Sequence, residues 1–168
     1  MYKILLTGAS GYIGSCVYYY LKNKYNFFLL DKIKNENFKI ITCNLNNKKK
    51  LNYILKNRNP DIVIHLAAQS LVDESINKNK YFINNIKATK NLIEAMKNNS
   101  VKNLIFSSTA AVYQNKNTKI NELDKIKPKS HYAKTKLSCE KMIKNSGLNS
   151  IILRFFNVCS SLTKPKLI

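Results

Sequence analysis

Short apolar runs without polar alternation recur along this chain, separated by longer amphipathic stretches, and this alternation constrains the fold more than any other feature. The runs are Lys3–Thr7, Phe27–Asp31, Lys39–Cys43, Asp61–Ala67, Asn103–Ser107 and Ser150–Phe155, rich in Ile, Leu, Val and Phe. A strand that is apolar on both sides must be covered on both sides, which is the condition of a parallel sheet. Helices are expected between the runs, over Tyr12–Asn23, Lys48–Asn57, Tyr81–Asn98 and His131–Asn145. In the third, Tyr81, Ala88, Leu92 and Met96 recur at helical spacing. Repeated strand–helix alternation predicts an α/β fold, a doubly wound parallel sheet with right-handed crossovers. The 168 residues suffice for one domain with its own core, expected over residues 1–168, and leave little room for a second. Asn44–Lys50 reads as a polar loop. Gln114–Lys129, which contains Pro128, is a longer irregular stretch of the kind that often carries function, and it is expected beside the active site.

The first apolar run leads into Thr7-Gly8-Ala9-Ser10-Gly11-Tyr12-Ile13-Gly14. Three glycines at this spacing, between a strand and a helix, form a phosphate cradle. Gly8 permits the tight turn, Gly11 lets backbone approach a pyrophosphate, and Gly14 permits close helix–strand packing. The helix start offers free N–H groups and a positive dipole end. The only other glycine is Gly147, so the cluster is not compositional noise. Asp31 ends the second run, where an acidic side chain would hold the adenine ribose hydroxyls and repel a 2′-phosphate. That favours NAD over NADP, with Lys32 and Lys34 close by.

Composition narrows the function. The net charge is +20, but Arg58 and Arg154 are the only arginines; the rest is Lys, in a chain also heavy in Asn and Ile. Evolved nucleic-acid sites favour Arg for bidentate contacts, and no nucleic-acid-binding motif is present, so no specific nucleic-acid partner is expected. No apolar run is long enough to span a bilayer, so no membrane partner is expected. The start of the chain reads as a strand, not a signal peptide. Cys16, Cys43, Cys139 and Cys159 form no C-x-x-C pair and have no ligand spacing with His65 or His131. No metal site and no disulfide framework are expected, which fits the cytoplasm. His65, at a strand end, reads as a satisfied core histidine sooner than a catalytic one.

Chemistry concentrates later in the chain. Tyr132 and Lys136 are four apart on a predicted helix and share one face. An ammonium beside a phenol favours the phenolate, so Lys136 is expected to lower the Tyr132 pKa. Thr109 follows Ser107-Ser108 at a strand's C-terminal end, where ligands bind in open α/β sheets.

Five segments in order carry a resemblance: Thr7-Gly8-x-x-Gly11-x-x-Gly14, His65-Leu66-Ala67-Ala68, Ser107-Ser108-Thr109, Tyr132-Ala133-Lys134-Thr135-Lys136 and Leu153-Arg154-Phe155-Phe156-Asn157. Together they resemble the extended short-chain dehydrogenase/reductases, the NAD-dependent epimerases and dehydratases, from residue 1 to about 160. The resemblance implies a Rossmann-like fold and bound NAD. It places Gly8, Ser10, Gly11, Tyr12, Ile13, Gly14, Asp31, Asn44, Leu45, Leu66, Ala67, Ala68, Ser107, Tyr132, Lys136 and Phe155 around that cofactor. It makes Tyr132, Lys136 and Thr109 catalytic and places Thr109, Tyr132 and Asn157 on a UDP-sugar. It implies that Lys136 also holds the nicotinamide ribose and that Asn85, in a segment like the family's paired asparagines, supports the site. Tyr113 either lines the sugar pocket or is core.

Phe106–Tyr113 looks like the UDP-glucose 4-epimerase version. The 4,6-dehydratases carry an acidic pair where this chain has Ala110 and Ala111, and without it a leaving hydroxyl lacks its acid. Gln69-Ser70 and Val72-Asp73 fit either subfamily. The chain departs from the family at Asn44 (often Asp), His131 (often Pro), Ala133 (often Gly) and Cys159 (often Gly or Ala). Above all it is short: the resemblance implies a missing C-terminal substrate domain. A 4-epimerase completed by other residues, a non-catalytic remnant and an NAD-binding module all remain open, as does another nucleotide-sugar epimerase or dehydratase. A homodimer through helices Tyr81–Asn98 and His131–Asn145 is a further implication.

Overall fold

In a computed structural model of the chain, residues 1–70 and 77–160 are described. Val72 and Asp73 lie outside them. The strands are β1 (Lys3–Thr7), β2 (Asn26–Asp31), β3 (Ile40–Thr42), β4 (Ile62–His65), β5 (Asn103–Thr109) and β6 (Asn149–Phe155). They form one six-stranded sheet in the order β3-β2-β1-β4-β5-β6, and each neighbouring pair is parallel. This is the Rossmann-like order, with its reversal between β1 and β4. The helices are α1 (Tyr12–Leu21), α2 (Lys48–Arg58), α3 (Lys78–Tyr81), α4 (Ala88–Asn98) and α5 (His131–Lys144).

The sheet's two faces explain the unbroken apolar runs. Leu5, Leu30, Val63, Leu104 and Phe106 point to one side and pack against Leu51 and Leu55 of α2, Leu92 and Met96 of α4, and Cys139 and Ile143 of α5. Their neighbours Ile4, Leu6, Leu29 and Ile64 point to the other side, where Val17 and Tyr18 of α1 cover them. The sheet is therefore doubly wound. β6 departs from this pattern. Ile151 and Leu153 stay 57% and 39% exposed, because β6 is an edge strand and its α1-side face carries no covering helix among the described residues.

Two local features differ from the sequence expectation. The stretch expected as one helix, Tyr81–Asn98, contains a π-helical segment, Phe82–Lys87, between α3 and α4. One wider turn of this kind re-aims a side chain without ending the helix. The irregular stretch after Tyr113, expected beside the active site, does not reach it. It folds back on itself, with Tyr113 bridged to Ile126, Gln114 N–H donating to the Lys125 carbonyl and an ion pair between Lys116 and Asp124. None of residues 114–129 lines the cleft described next.

Candidate active site

The C-terminal ends of β1, β2, β4, β5 and β6 open onto a cleft of about 780 Å³. At one end lies the glycine loop. Gly8 has φ +77°, and a Cβ there would sit 2.6 Å from the Ala67 nitrogen, so β1 and β4 can approach this closely only with glycine. Gly14 lies against the loop backbone, where a Cβ would be 2.8 Å from the Ala9 Cα. Gly11 differs from both: its φ is −75°, and a Cβ would meet only the Gly8 carbonyl, at 3.3 Å. Gly11 also serves as the N-cap of α1 with no capping side chain, and no acidic residue occupies the first turn. The start of α1 thus faces the cleft uncapped, a site prepared for an anion.

Asp31 stands at the rim above this loop. Its Oδ2 accepts from the Ser10 N–H at 3.0 Å and its Oδ1 from the Ile33 N–H at 3.2 Å, while the Ser10 hydroxyl donates to the Ile33 carbonyl. The carboxylate is therefore fixed in place. Lys32 and Lys34 line the same rim. Asn44 and Leu45 form the next part of the wall, and Asn44 Oδ1 accepts from the Asn46 N–H at 2.9 Å.

At the other end Thr109, Tyr132 and Lys136 come together. Thr109 is the last residue of β5, and its hydroxyl accepts from the Ala111 N–H at 3.2 Å. Tyr132 and Lys136 project from the first turns of α5, whose N-cap Ser130 accepts from the Ala133 N–H. The Thr109 side chain lies beside the Tyr132 phenol and favours its ionised form. Lys136 is 2% exposed, and its Nζ donates to the Ser107 carbonyl at 2.6 Å, lying 6.0 Å from the Tyr132 ring centre.

The electrostatics correct one expectation. Burial raises the Tyr132 pKa, and what opposes the rise is the Thr109 hydrogen bond, not the Lys136 charge. The ammonium is turned down to the Ser107 carbonyl. Burial pushes the Lys136 pKa down to about 8, against the charges of Cys139 and Glu140. Lys136 keeps most of its charge near neutral pH, but an ammonium turned to the Ser107 carbonyl does not acidify the phenol as one aimed at it would.

Every residue proposed from sequence for the cofactor or the sugar lines this one cleft: Gly8, Ser10, Gly11, Tyr12, Ile13, Gly14, Asp31, Asn44, Leu45, Leu66, Ala67, Ala68, Ser107, Thr109, Tyr132, Lys136, Phe155 and Asn157. His65 does not line it. It is 1% exposed beneath the floor, with Nδ1 2.7 Å from the Thr7 hydroxyl and Nε2 3.0 Å from the Thr89 hydroxyl. Asn85, 1% exposed within the π segment, accepts from the Gln69 N–H and donates to the Gln69 carbonyl and the Thr135 hydroxyl. It ties the loop after β4 to α5 beside Lys136. Tyr113 is buried and does not line the cleft.

Sequence reasoning missed Glu140. It is 1% exposed, four residues beyond Lys136 on α5, and ion-paired with Arg154. The available signals were its place on the Tyr132–Lys136 helix face and the scarcity of arginine, which makes each arginine a candidate partner for a buried carboxylate.

The pattern of the NAD dependent epimerase/dehydratase family matches residues 4–167. UDP-glucose 4-epimerase from Halalkalibacterium halodurans is 34% identical over 94% of this chain and 51% of its own length. The crystal structure of UDP-glucose 4-epimerase from Brucella ovis in complex with NAD superposes with a TM-score of 0.86 at 28% identity, over 94% of this chain and 52% of that one. UDP-N-acetylglucosamine 4-epimerase from Methanobrevibacter ruminantium, in complex with UDP-N-acetylmuramic acid, gives a TM-score of 0.80 at 34% identity over 93% and 55%. The chain spans about half the length of the curated relatives it matches. On the match from residue 4 to 167, with the glycine cradle and the Tyr132–Lys136 helix in one cleft, the chain belongs to the NAD dependent epimerase/dehydratase family.

Proposed function

We propose that this chain forms the cofactor-binding and proton-handling half of an NAD-dependent nucleotide-sugar 4-epimerase of the UDP-glucose/UDP-galactose type, serving galactose metabolism in the cytoplasm. One observation carries the reading: Thr109, Tyr132 and Lys136 meet at one end of the cleft whose other end is the glycine cradle and Asp31.

The residues present fit NAD. The uncapped α1 start, with Gly8, Ser10, Gly11, Tyr12, Ile13 and Gly14, would hold the pyrophosphate. The anchored Asp31 would take the adenine ribose, Asn44 and Leu45 the adenine, and Lys136 the nicotinamide ribose. Leu66, Ala67, Ala68, Ser107 and Phe155 would wall the site. Bound there, NAD supplies the group that accepts hydride from sugar C4 and gives it back to the other face. Tyr132 takes the proton of the sugar 4-hydroxyl and returns it. Thr109 hydrogen-bonds the oxygen that loses and regains the proton. Asn157, on the cleft's outer lip, meets the sugar or its phosphate.

Epimerisation is favoured over dehydration by a charge observation. Among the described residues lining the cleft, the only carboxylate is Asp31, at the adenosine end. Ala111 lines the wall beside Thr109 where an acid would be needed. The choice of UDP-glucose over an N-acetylated or uronic relative rests on the names of the similar proteins.

The test uses the purified chain, alone and with the C-terminal half of a relative, assayed with UDP-galactose. Tyr132→Phe is expected to abolish turnover while leaving NAD affinity within about twofold, since the lost hydroxyl acts on the sugar. Turnover retained by that variant would refute the assignment of Tyr132.

A further inference from the structure

One buried ion pair holds a residue on each side of Thr109 along the chain, Ser108 before it and Tyr113 after it. Arg154 meets Glu140 side-on, Nε donating to Oε1 at 3.0 Å and Nη2 to Oε2 at 2.7 Å. Ser108, immediately before Thr109, donates its hydroxyl to Glu140 Oε1. Tyr113 closes the short 3₁₀ turn, Ala110–Val112, that follows Thr109. Its hydroxyl accepts from Arg154 Nη1 at 2.7 Å, and the guanidinium lies 4.8 Å from its ring centre. In the sheet register Ser108 pairs with Arg154 and Thr109 with Phe155, so the ion pair, neither member of which lines the cleft, lies level with the residue before Thr109.

Such a pair needs a reason. Desolvation offsets most of the attraction between buried charges, and apolar residues often replace them without loss of stability. Apolar residues do not supply direction. A bidentate guanidinium–carboxylate contact fixes orientation in a plane, and here Glu140 also holds Ser108, just before Thr109, and Arg154 holds Tyr113, at the end of the turn that follows it. α5 supplies Glu140 as well as Tyr132 and Lys136, so one helix face carries both the phenol and the post to which the threonine's neighbours are tied.

We propose that the Glu140–Arg154 pair is the positioning element of the proton-handling site: by holding Ser108 and Tyr113 it keeps the Thr109 hydroxyl on the Tyr132 phenol. This rests on reading Thr109 and Tyr132 as the reacting groups, but it concerns the chain without cofactor or sugar. The other titratable groups at this corner are Lys136 and Cys139 on α5 and His65 on β4. Burial holds His65 neutral and the Cys139 thiol protonated.

The test reads the Tyr132 phenol directly. The full chain is labelled with 3-fluorotyrosine, whose more acidic phenol titrates where the fold survives, and followed by fluorine NMR, with Tyr132 assigned by its absence in Tyr132→Phe. Ser108→Ala and Tyr113→Phe each delete one hydroxyl and one strut. Each is expected to raise the Tyr132 midpoint, and Glu140→Gln with Arg154→Met to raise it most, by about one pH unit, a tenfold weakening of the phenolate. In a Thr109→Val background the Ser108→Ala shift should vanish, because the strut acts only through Thr109. A purely structural pair would lower the melting temperature and leave the midpoint where it is. Midpoints for Ser108→Ala and Tyr113→Phe indistinguishable from wild type overturn the proposal, whether or not the double charge variant folds. Shifted midpoints in a chain that fails to bind NAD would sink the cofactor reading and leave this one standing.

Discussion

His65 lies between two threonine hydroxyls under the cleft floor, and burial, helped by the Lys136 charge, holds its pKa down to about 3. A neutral imidazole donates through one nitrogen and accepts through the other, which satisfies both threonines without a charge. The folded pKa is depressed below the unfolded value, so acid favours the unfolded chain: the stability His65 contributes is complete above about 6.5 and is lost as pH falls toward 3. Between pH 7 and pH 5 the loss should be roughly 2 kcal/mol, read by urea denaturation at the two pH values. His65→Gln should flatten that slope; an unchanged slope would contradict the account. Gly8 is as specific a position. With φ +77° and no space for a Cβ beside Ala67, Gly8→Ala should cost at least about 2 kcal/mol. The roles open to Gly8 and His65 were legible in sequence because each is tied to a strand end. The Tyr132–Lys136 relation was legible only as a spacing. Helical geometry brings the two onto one face, but whether the ammonium reaches the phenol depends on the Ser107 carbonyl, which belongs to another element.

At the scale of elements, all six strands lie where the apolar runs stand, because a strand covered on both faces leaves a run that nothing else in the chain imitates. Three features were hidden. The π segment at Phe82–Lys87 has an ordinary helical composition, and only the demand that Asn85 reach Gln69 and Thr135 shows why the turn is wider. The fold-back after Tyr113 is held by polar contacts with no periodic signature. The Glu140–Arg154 pair joins α5 to β6 across a register that sequence spacing does not reveal. Glu140→Gln alone leaves Arg154 without its counter-charge and should cost about 3 kcal/mol in urea denaturation, at the low end for buried pairs because the Arg154 side chain keeps 16% exposure. A loss below about 0.5 kcal/mol would place the pair among surface contacts.

For the whole molecule, the sheet order, the cleft at its C-terminal edge and the family match converge on one architecture. Ile151 and Leu153 on the edge strand present apolar surface that the rest of the sheet buries. Replacing both with Lys should reduce self-association in sedimentation while leaving the melting temperature within a few degrees, since neither side chain belongs to a buried core cluster. The overall fold was readable because it follows from periodicity. The uncovered face was not, because Ile151, Leu153 and Phe155 form the more apolar face of β6 in sequence, and only the positions of the helices leave that face open. NAD binding by this chain depends on the glycine cradle. Gly11 has a backbone conformation open to any residue, and a Cβ there would meet only the Gly8 carbonyl, at 3.3 Å. Calorimetric titration of NAD into the wild-type chain and into Gly11→Val, with melting curves in parallel, is the most direct test. The account predicts saturable binding by wild type at submillimolar NAD and no binding by a variant that melts at nearly the same temperature. A wild-type chain that takes up no NAD at millimolar concentration, or a Gly11→Val chain that binds as well as wild type, would contradict it.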